Sequence, residues 1–130
     1  MDKHYIALLE GRLHHQAGEI ALPFRLDPNN LPYQIYDPLH GKMGISRWRR
    51  IGIEGDRSRV EFIPLTGRTH QLRLHASHLL GLGIPIVDDR LYGQGRAPGK
   101  LLLHAAYLAF QHPASGQRMI YHSKPFFRGR

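Results

Sequence analysis

The residues best equipped for chemistry lie in one run, Pro64-Leu65-Thr66-Gly67-Arg68-Thr69-His70-Gln71-Leu72-Arg73-Leu74-His75. Two guanidiniums, Arg68 and Arg73, flank a hydroxyl, an imidazole and an amide. A guanidinium is always charged, and its planar fork matches a carboxylate or a phosphate. The run begins where a strand pattern ends: Val60 and Phe62 alternate with Arg59 and Glu61. Pro64 cannot donate to a ladder, and Gly67 permits a tight turn. Thr69 is the expected N-cap of a helix to about Leu80, with Leu72, Ala76, Leu79 and Leu80 as its buried stripe. The N–H groups of its first turn would add positive potential beside the arginines. The competing reading is a solvated corner with no ligand.

The elements that position this corner follow from the rest of the chain. Its 130 residues suit one domain, and Lys and Arg outnumber Asp and Glu by 18 to 10. A charge of +8 favours a polyanion, RNA or DNA first. Cysteine is absent, which excludes disulfides and thiolate chemistry. No apolar run is long enough to span a bilayer and no signal peptide opens the chain, so a soluble, cytoplasmic protein is expected. Ten histidines raise the question of a metal, but no His-Glu-x-x-His pattern gathers them, and no metal site is expected.

Lys3–Glu10 reads as a central strand, apolar on both faces. A central strand this near the first residue suggests that a segment ordinarily precedes Met1. Residues 19–22 read as a short strand ending at Pro23, 25–30 as a turn, and Gly41–Gly44 as a mobile loop. Ile45–Ile53 and Ser58–Leu65 form a predicted hairpin around Gly55. Trp48 lies among Arg47, Arg49 and Arg50: core Trp is the favoured reading, a stacking platform beside phosphate-binding Arg47 and Arg49 the other. Gln94–Lys100 is flexible by composition. Residues 101–110 fit helix or strand, and a hairpin from about Ala105 to His122 is the reading adopted. A basic tail of Lys124, Arg128 and Arg130 closes the chain.

The run 64–75 resembles the signature of the RluA-type RNA pseudouridine synthases. So do Gly83-Ile84-Pro85-Ile86-Val87-Asp88-Asp89-Arg90-Leu91-Tyr92-Gly93, Leu101-Leu102-Leu103-His104-Ala105 and Lys3-His4-Tyr5-Ile6-Ala7-Leu8, all in the family's order. The resemblance implies a mixed α+β domain, largely antiparallel, with one main helix on the sheet. It implies isomerisation of uridine to pseudouridine in ribosomal or transfer RNA, without cofactor or metal. An aspartate attacks a flipped-out nucleotide, and the base detaches and rejoins through carbon 5. Tyr5 would stack on the uracil and assist proton removal, and Arg73 would hold the catalytic carboxylate. Arg68, Thr69, His70 and Gln71 would shape the substrate corner, with Leu103 as an apolar wall.

In the family the nucleophile lies in a His-Arg-Leu-Asp segment ahead of the Tyr5 strand. Residues 1–130 are therefore expected to be the C-terminal portion of the catalytic domain, inactive alone for want of that aspartate. Phe24-Arg25-Leu26-Asp27 mimics the segment but lies on the wrong side of Tyr5. Asp88 stands where the family has glycine, and Leu31 where it has arginine before Pro32. The alternatives are a non-catalytic basic RNA-binding module and a truncated remnant. If strands flanking Tyr5 are missing, self-association through an unpaired sheet edge is expected.

Overall fold

The computed structural model describes residues 2–95, 100–125 and 127. Of the basic tail, Arg128 and Arg130 lie outside these, as do Met1 and most of the 94–100 segment predicted to be flexible. Seven strands form one sheet: β1 (Asp2–Leu9), β2 (Ala17–Leu26), β3 (Gln34–Tyr36), β4 (Lys42–Glu54), β5 (Arg57–Pro64), β6 (Leu103–Gln111) and β7 (Arg118–His122). Their order is β3-β2-β4-β5-β1-β6-β7, with every neighbouring pair antiparallel. One helix, α1 (Gln71–Ser77), lies over β4 and β5. The α+β reading holds, and no described helix is long and apolar enough to cross a membrane.

β1 is central, as its apolar faces require, and is paired with both β5 and β6. Tyr5 thus has strands on both sides, so the missing neighbours that the truncated-remnant reading entails are not found; among the described residues the open edges belong to β3 and β7. Alternation in β1 divides the core. Ala7 and Leu9 join Trp48, Val60, Phe62 and the helix residues Leu72, Leu74 and Ala76, while Ile6 and Leu8 pack on the other face with Val87 and Phe127. Trp48 is a core residue, opposite Phe62, which is in turn opposite Tyr5. Burying a side chain such as Phe62 contributes about 1.5–3 kcal/mol, so this row anchors Tyr5 from behind.

Three sequence expectations need correction. The strand at 19–22 extends through Pro23 to Leu26. Proline is tolerated because Pro23 turns its nitrogen and carbonyl to the β3 side just past the end of β3, where only Asp37 N–H reaches its carbonyl (3.0 Å). Lys42-Met43-Gly44 is not a loop but the start of β4, paired with Leu22–Phe24. The helix is shorter than Thr69–Leu80. It ends at Ser77, where Gly81 N–H and Gly83 N–H turn back onto His78 C=O, and Leu79 and Leu80 are exposed rather than buried. The final hairpin is as predicted, starting two residues earlier, at Leu103.

Candidate active site

The corner between β5 and α1 is built by side-chain hydrogen bonds. His70, not Thr69, is the N-cap, in the left-handed region at φ 55° and without a side-chain cap bond. A seven-residue helix entered this way supplies no anion site of its own, so the helix-dipole contribution expected from sequence is withdrawn. Gln71 replaces it as the organiser. Its Oε1 accepts from Thr66 Oγ1 (2.6 Å) and Arg68 N–H (3.0 Å), and its Nε2 donates to Ile45 C=O (2.9 Å) and Ser46 Oγ (2.8 Å). Its amide is thus fully committed to holding the corner. Gly44 lets the corner settle on β4, because a Cβ there would stand 3.1 Å from Gln71 Oε1. Behind it, Ser46 Oγ also meets His75 Nδ1 at 3.0 Å, and burial pulls the His75 pKa down to about 4.

In front of the corner is a cleft of about 550 Å³, with Tyr5 and Lys3 from β1, Leu103 from β6, Pro64–Arg68 from the turn, and His70 and Arg73 from the helix start. Six expected site residues, Tyr5, Arg68, His70, Arg73, Leu103 and the buried Gln71, converge here. A register shift between His4 and Tyr5 leaves Ala106 of β6 opposite no residue, a bulge that sets how Tyr5 is presented. Thr69 faces a neighbouring cleft instead. Arg47 and Arg49 are not part of the site. They alternate with the inward Trp48, so they lie on the opposite face, where Arg47 meets Glu19 (3.6 Å) and Arg49 meets Glu61 (3.2 Å).

Arg73 has an acidic partner within the chain, contrary to the expectation that its partner must come from elsewhere. Its Nε and Nη2 donate to Asp89 Oδ2 (3.1 Å) and Oδ1 (2.5 Å). Asp89 is fully buried, and its Oδ1 also accepts the N–H groups of Leu91 (3.0 Å) and Tyr92 (3.1 Å). Burial alone would raise the Asp89 pKa, but Arg73 and the two backbone donors outweigh it and hold the carboxyl below its ordinary value. The bidentate pair uses one edge of the guanidinium. Two Nη1 protons and one Nη2 proton remain, a second fork on a residue that lines the cleft.

Tyr92 completes the support. Arg73 stacks over its ring at 5.6 Å, and its hydroxyl accepts from Gln34 N–H (3.0 Å). The same hydroxyl lies 2.7 Å from His70 Nδ1. Burial, then the charge of Arg73, lowers the His70 pKa, and burial raises that of Tyr92. The consistent assignment is therefore a Tyr92 O–H donating to the Nδ1 of a neutral His70. Sequence reading missed Lys3, Asp89 and Tyr92. No local signal singled out Asp89, since Asp88 and Arg90 stand beside it and nothing in the run tells which acid is buried. Asp88, by contrast, adopts φ 63°, which explains why glycine suits that position.

All ten Asp and Glu residues are described, and none lines the cleft. Asp27 is confined to a turn, its Oδ1 accepting Asn29 N–H at 3.1 Å. Among the described residues no three His, Asp or Glu side chains gather as metal ligands.

Residues 1–78 match the family described as RNA pseudouridylate synthase. A dual-specificity RNA pseudouridine synthase RluA from Haemophilus influenzae is 37% identical over 129 residues, covering 96% of this chain and 58% of that protein. The protein of the same name from Escherichia coli is 37% identical over 123 residues, 92% of this chain and 55% of its own length. Among solved structures, human RNA Pseudouridylate Synthase Domain Containing 1 superposes with a TM-score of 0.76 at 31% identity, over 95% of this chain and 54% of that one. The chain thus spans somewhat more than half the length of these relatives.

Proposed function

The chain belongs to the RNA pseudouridylate synthase family, and from that premise we propose that its cleft holds a uridine flipped out of ribosomal or transfer RNA. The observation that carries this reading is the convergence of Tyr5, Arg73 and Leu103 on one cleft from three separate elements. A uracil there stacks on the Tyr5 ring against the Leu103 wall. The turn residues Leu65–Arg68 close the other side, and Lys3 and Arg68 attract the phosphates.

The free fork of Arg73 holds the nucleophilic carboxylate, and Asp89 keeps that fork aimed. Because Asp89 already neutralises Arg73, the nucleophile is kept ionised mainly by hydrogen bonds rather than by a net local charge. None of the chain's Asp and Glu side chains lines the cleft. The nucleophile is accordingly supplied by a segment outside residues 1–130, which form the base-holding part of the catalytic domain. The same observation favours, as a second reading, RNA binding without turnover by the 130 residues alone.

Incubation with unmodified ribosomal and transfer RNA, followed by chemical mapping of pseudouridine, tests both. We expect RNA binding without product from the 130 residues. Product should appear when the N-terminal part of the Haemophilus influenzae relative is fused ahead of β1, and should disappear again with Arg73→Met. Robust product from the unfused chain would overturn the assignment of the nucleophile. Absence of RNA binding, with the fold intact, would overturn the function.

A further inference from the structure

A second cleft, of about 440 Å³, opens on the far side of the Gly67–Arg68 turn, lined by Phe24, Gln34, His40, Lys42, Arg68 and Thr69 among others. It shares Gly67 and Arg68 with the first cleft, so the two are contiguous across those residues. Their common rim is low. Gly67 has no side chain, and nothing lies within 4 Å of where a Cβ would stand. A strand can cross there without meeting a side chain.

Two of the second cleft's three Lys and Arg side chains, Lys42 and Arg68, are uncompensated. No carboxylate lines it. Arg25, one of its cations, is already paired with Asp37 at 2.5 Å, but Lys42 and Arg68 form no ion pair among the described residues. The Nε of Arg68 donates to Met43 C=O (3.1 Å), which pins its stem to β4 and leaves both terminal nitrogens for a ligand. On the opposite face of the sheet, Arg47, Arg49 and Arg59 are each matched to a glutamate. Lys42 and Arg68, with Lys3 in the first cleft, are thus unpaired where the clefts open, while these three arginines behind the sheet are neutralised locally; Arg12, Arg50 and Arg90 form no ion pair among the described residues either, but line neither cleft.

We propose that this second cleft is a subsite for the nucleotide adjacent to the flipped uridine. The phosphate between the two nucleotides crosses Gly67 and is held by Arg68, and the next sits by Lys42. This rests on the reading of the first cleft as a uridine site. It adds that recognition extends along the strand in one direction, across β2 and β4.

The test uses the 130-residue chain, titrated with uridine monophosphate and with single-stranded oligoribonucleotides extended from a uridine on the 5′ or the 3′ side. Lys42→Ala is compared with Arg57→Ala, which removes the same charge at the remote start of β5, and with Lys42→Gln as a second neutral variant. Thermal melts establish that each is folded. We expect one of the two extensions to tighten binding in the parent and to lose several-fold in both Lys42 variants. The slope of log affinity against log salt should fall by about 0.7, the value of one single-strand phosphate contact. Uridine monophosphate binding should not change. Equal effects of Lys42→Ala and Arg57→Ala on every ligand, or no gain from either extension, would overturn the subsite while leaving the uridine cleft in place. Failure of the parent to bind any of these ligands would overturn both.

Discussion

Replacing Asp89 by asparagine removes the charge that neutralises Arg73 while nearly preserving shape. Asp89 is fully buried and accepts four hydrogen bonds, two from Arg73 and two from backbone N–H groups. Breaking a buried ion pair from one side costs about 3–5 kcal/mol, because the surviving charge is left uncompensated. The Arg73 side chain keeps 19% of its surface exposed at the cleft, so water recovers part of the loss. The expected cost is therefore about 3 kcal/mol, or on the order of 10 °C in Tm for a domain of this size. Urea and thermal unfolding followed by circular dichroism measure it. A double-mutant cycle with Arg73→Met should give a coupling on the order of 2 kcal/mol. The pH dependence has a fixed sign. The Asp89 pKa is lowered in the folded state, so the stability difference between parent and Asp89→Asn is constant at neutral pH. The part of it that comes from the lowered pKa persists down to the unfolded carboxyl value of about 4 and is lost as the pH falls through the folded one. A variant that melts like the parent, or a cycle with no coupling, would refute the claim that Asp89 anchors Arg73.

Four other positions carry expected outcomes of their own. His75 titrates at about 4 rather than 6.5, so the parent should lose about 3 kcal/mol of stability as pH falls through that window. His75→Gln should flatten the profile, and an unchanged slope would contradict the assignment. In Gly81→Ala the new Cβ would stand 2.2 Å from the backbone oxygen of His75, and denaturation should show a loss of at least about 2 kcal/mol. Gly67→Ala, which meets nothing within 4 Å, should stay within about 0.5 kcal/mol of the parent. Tyr5→Ala should weaken the binding of uridine-containing RNA by about 1–3 kcal/mol, the value of one stacked base, while Tyr5→Phe keeps most of it; equal losses would remove stacking from the account.

The strands were legible wherever one face is buried. Alternation at Val60 and Phe62 located β5, and the two apolar faces of Lys3–Glu10 marked β1 as central. Trp48 was legible as core because a lone Trp is a large apolar surface to cover. Local rules failed where long-range contacts decide. Leu79 and Leu80 continue the helical period, yet the chain leaves the helix at Ser77, with Gly81 N–H turned onto His78 C=O. Lys42–Gly44 looked like loop, yet β2 supplies it with a ladder. The cleft itself was legible through the run 64–75 and Tyr5. The Asp89–Arg73 pair was not, since 16 positions separate the two and no local pattern links them. The facing of Arg47 and Arg49 was half legible: reading Trp48 as core puts both on the other face by alternation. The structure adds the register that sets Trp48 opposite Phe62 and the glutamates, Glu19 and Glu61, that pair with the two arginines.

Uridine is expected to sit in the cleft between Tyr5, Leu103 and Arg73. Heteronuclear NMR of the labelled chain titrated with a uridine-containing single-stranded RNA tests it most directly. Saturable shifts at Tyr5, Leu103 and the Arg73 side-chain Nε–H, with Arg47 and Arg49 unmoved, are the predicted result. Shifts confined to the Arg47 and Arg49 face, with Tyr5 and Arg73 silent, would contradict it.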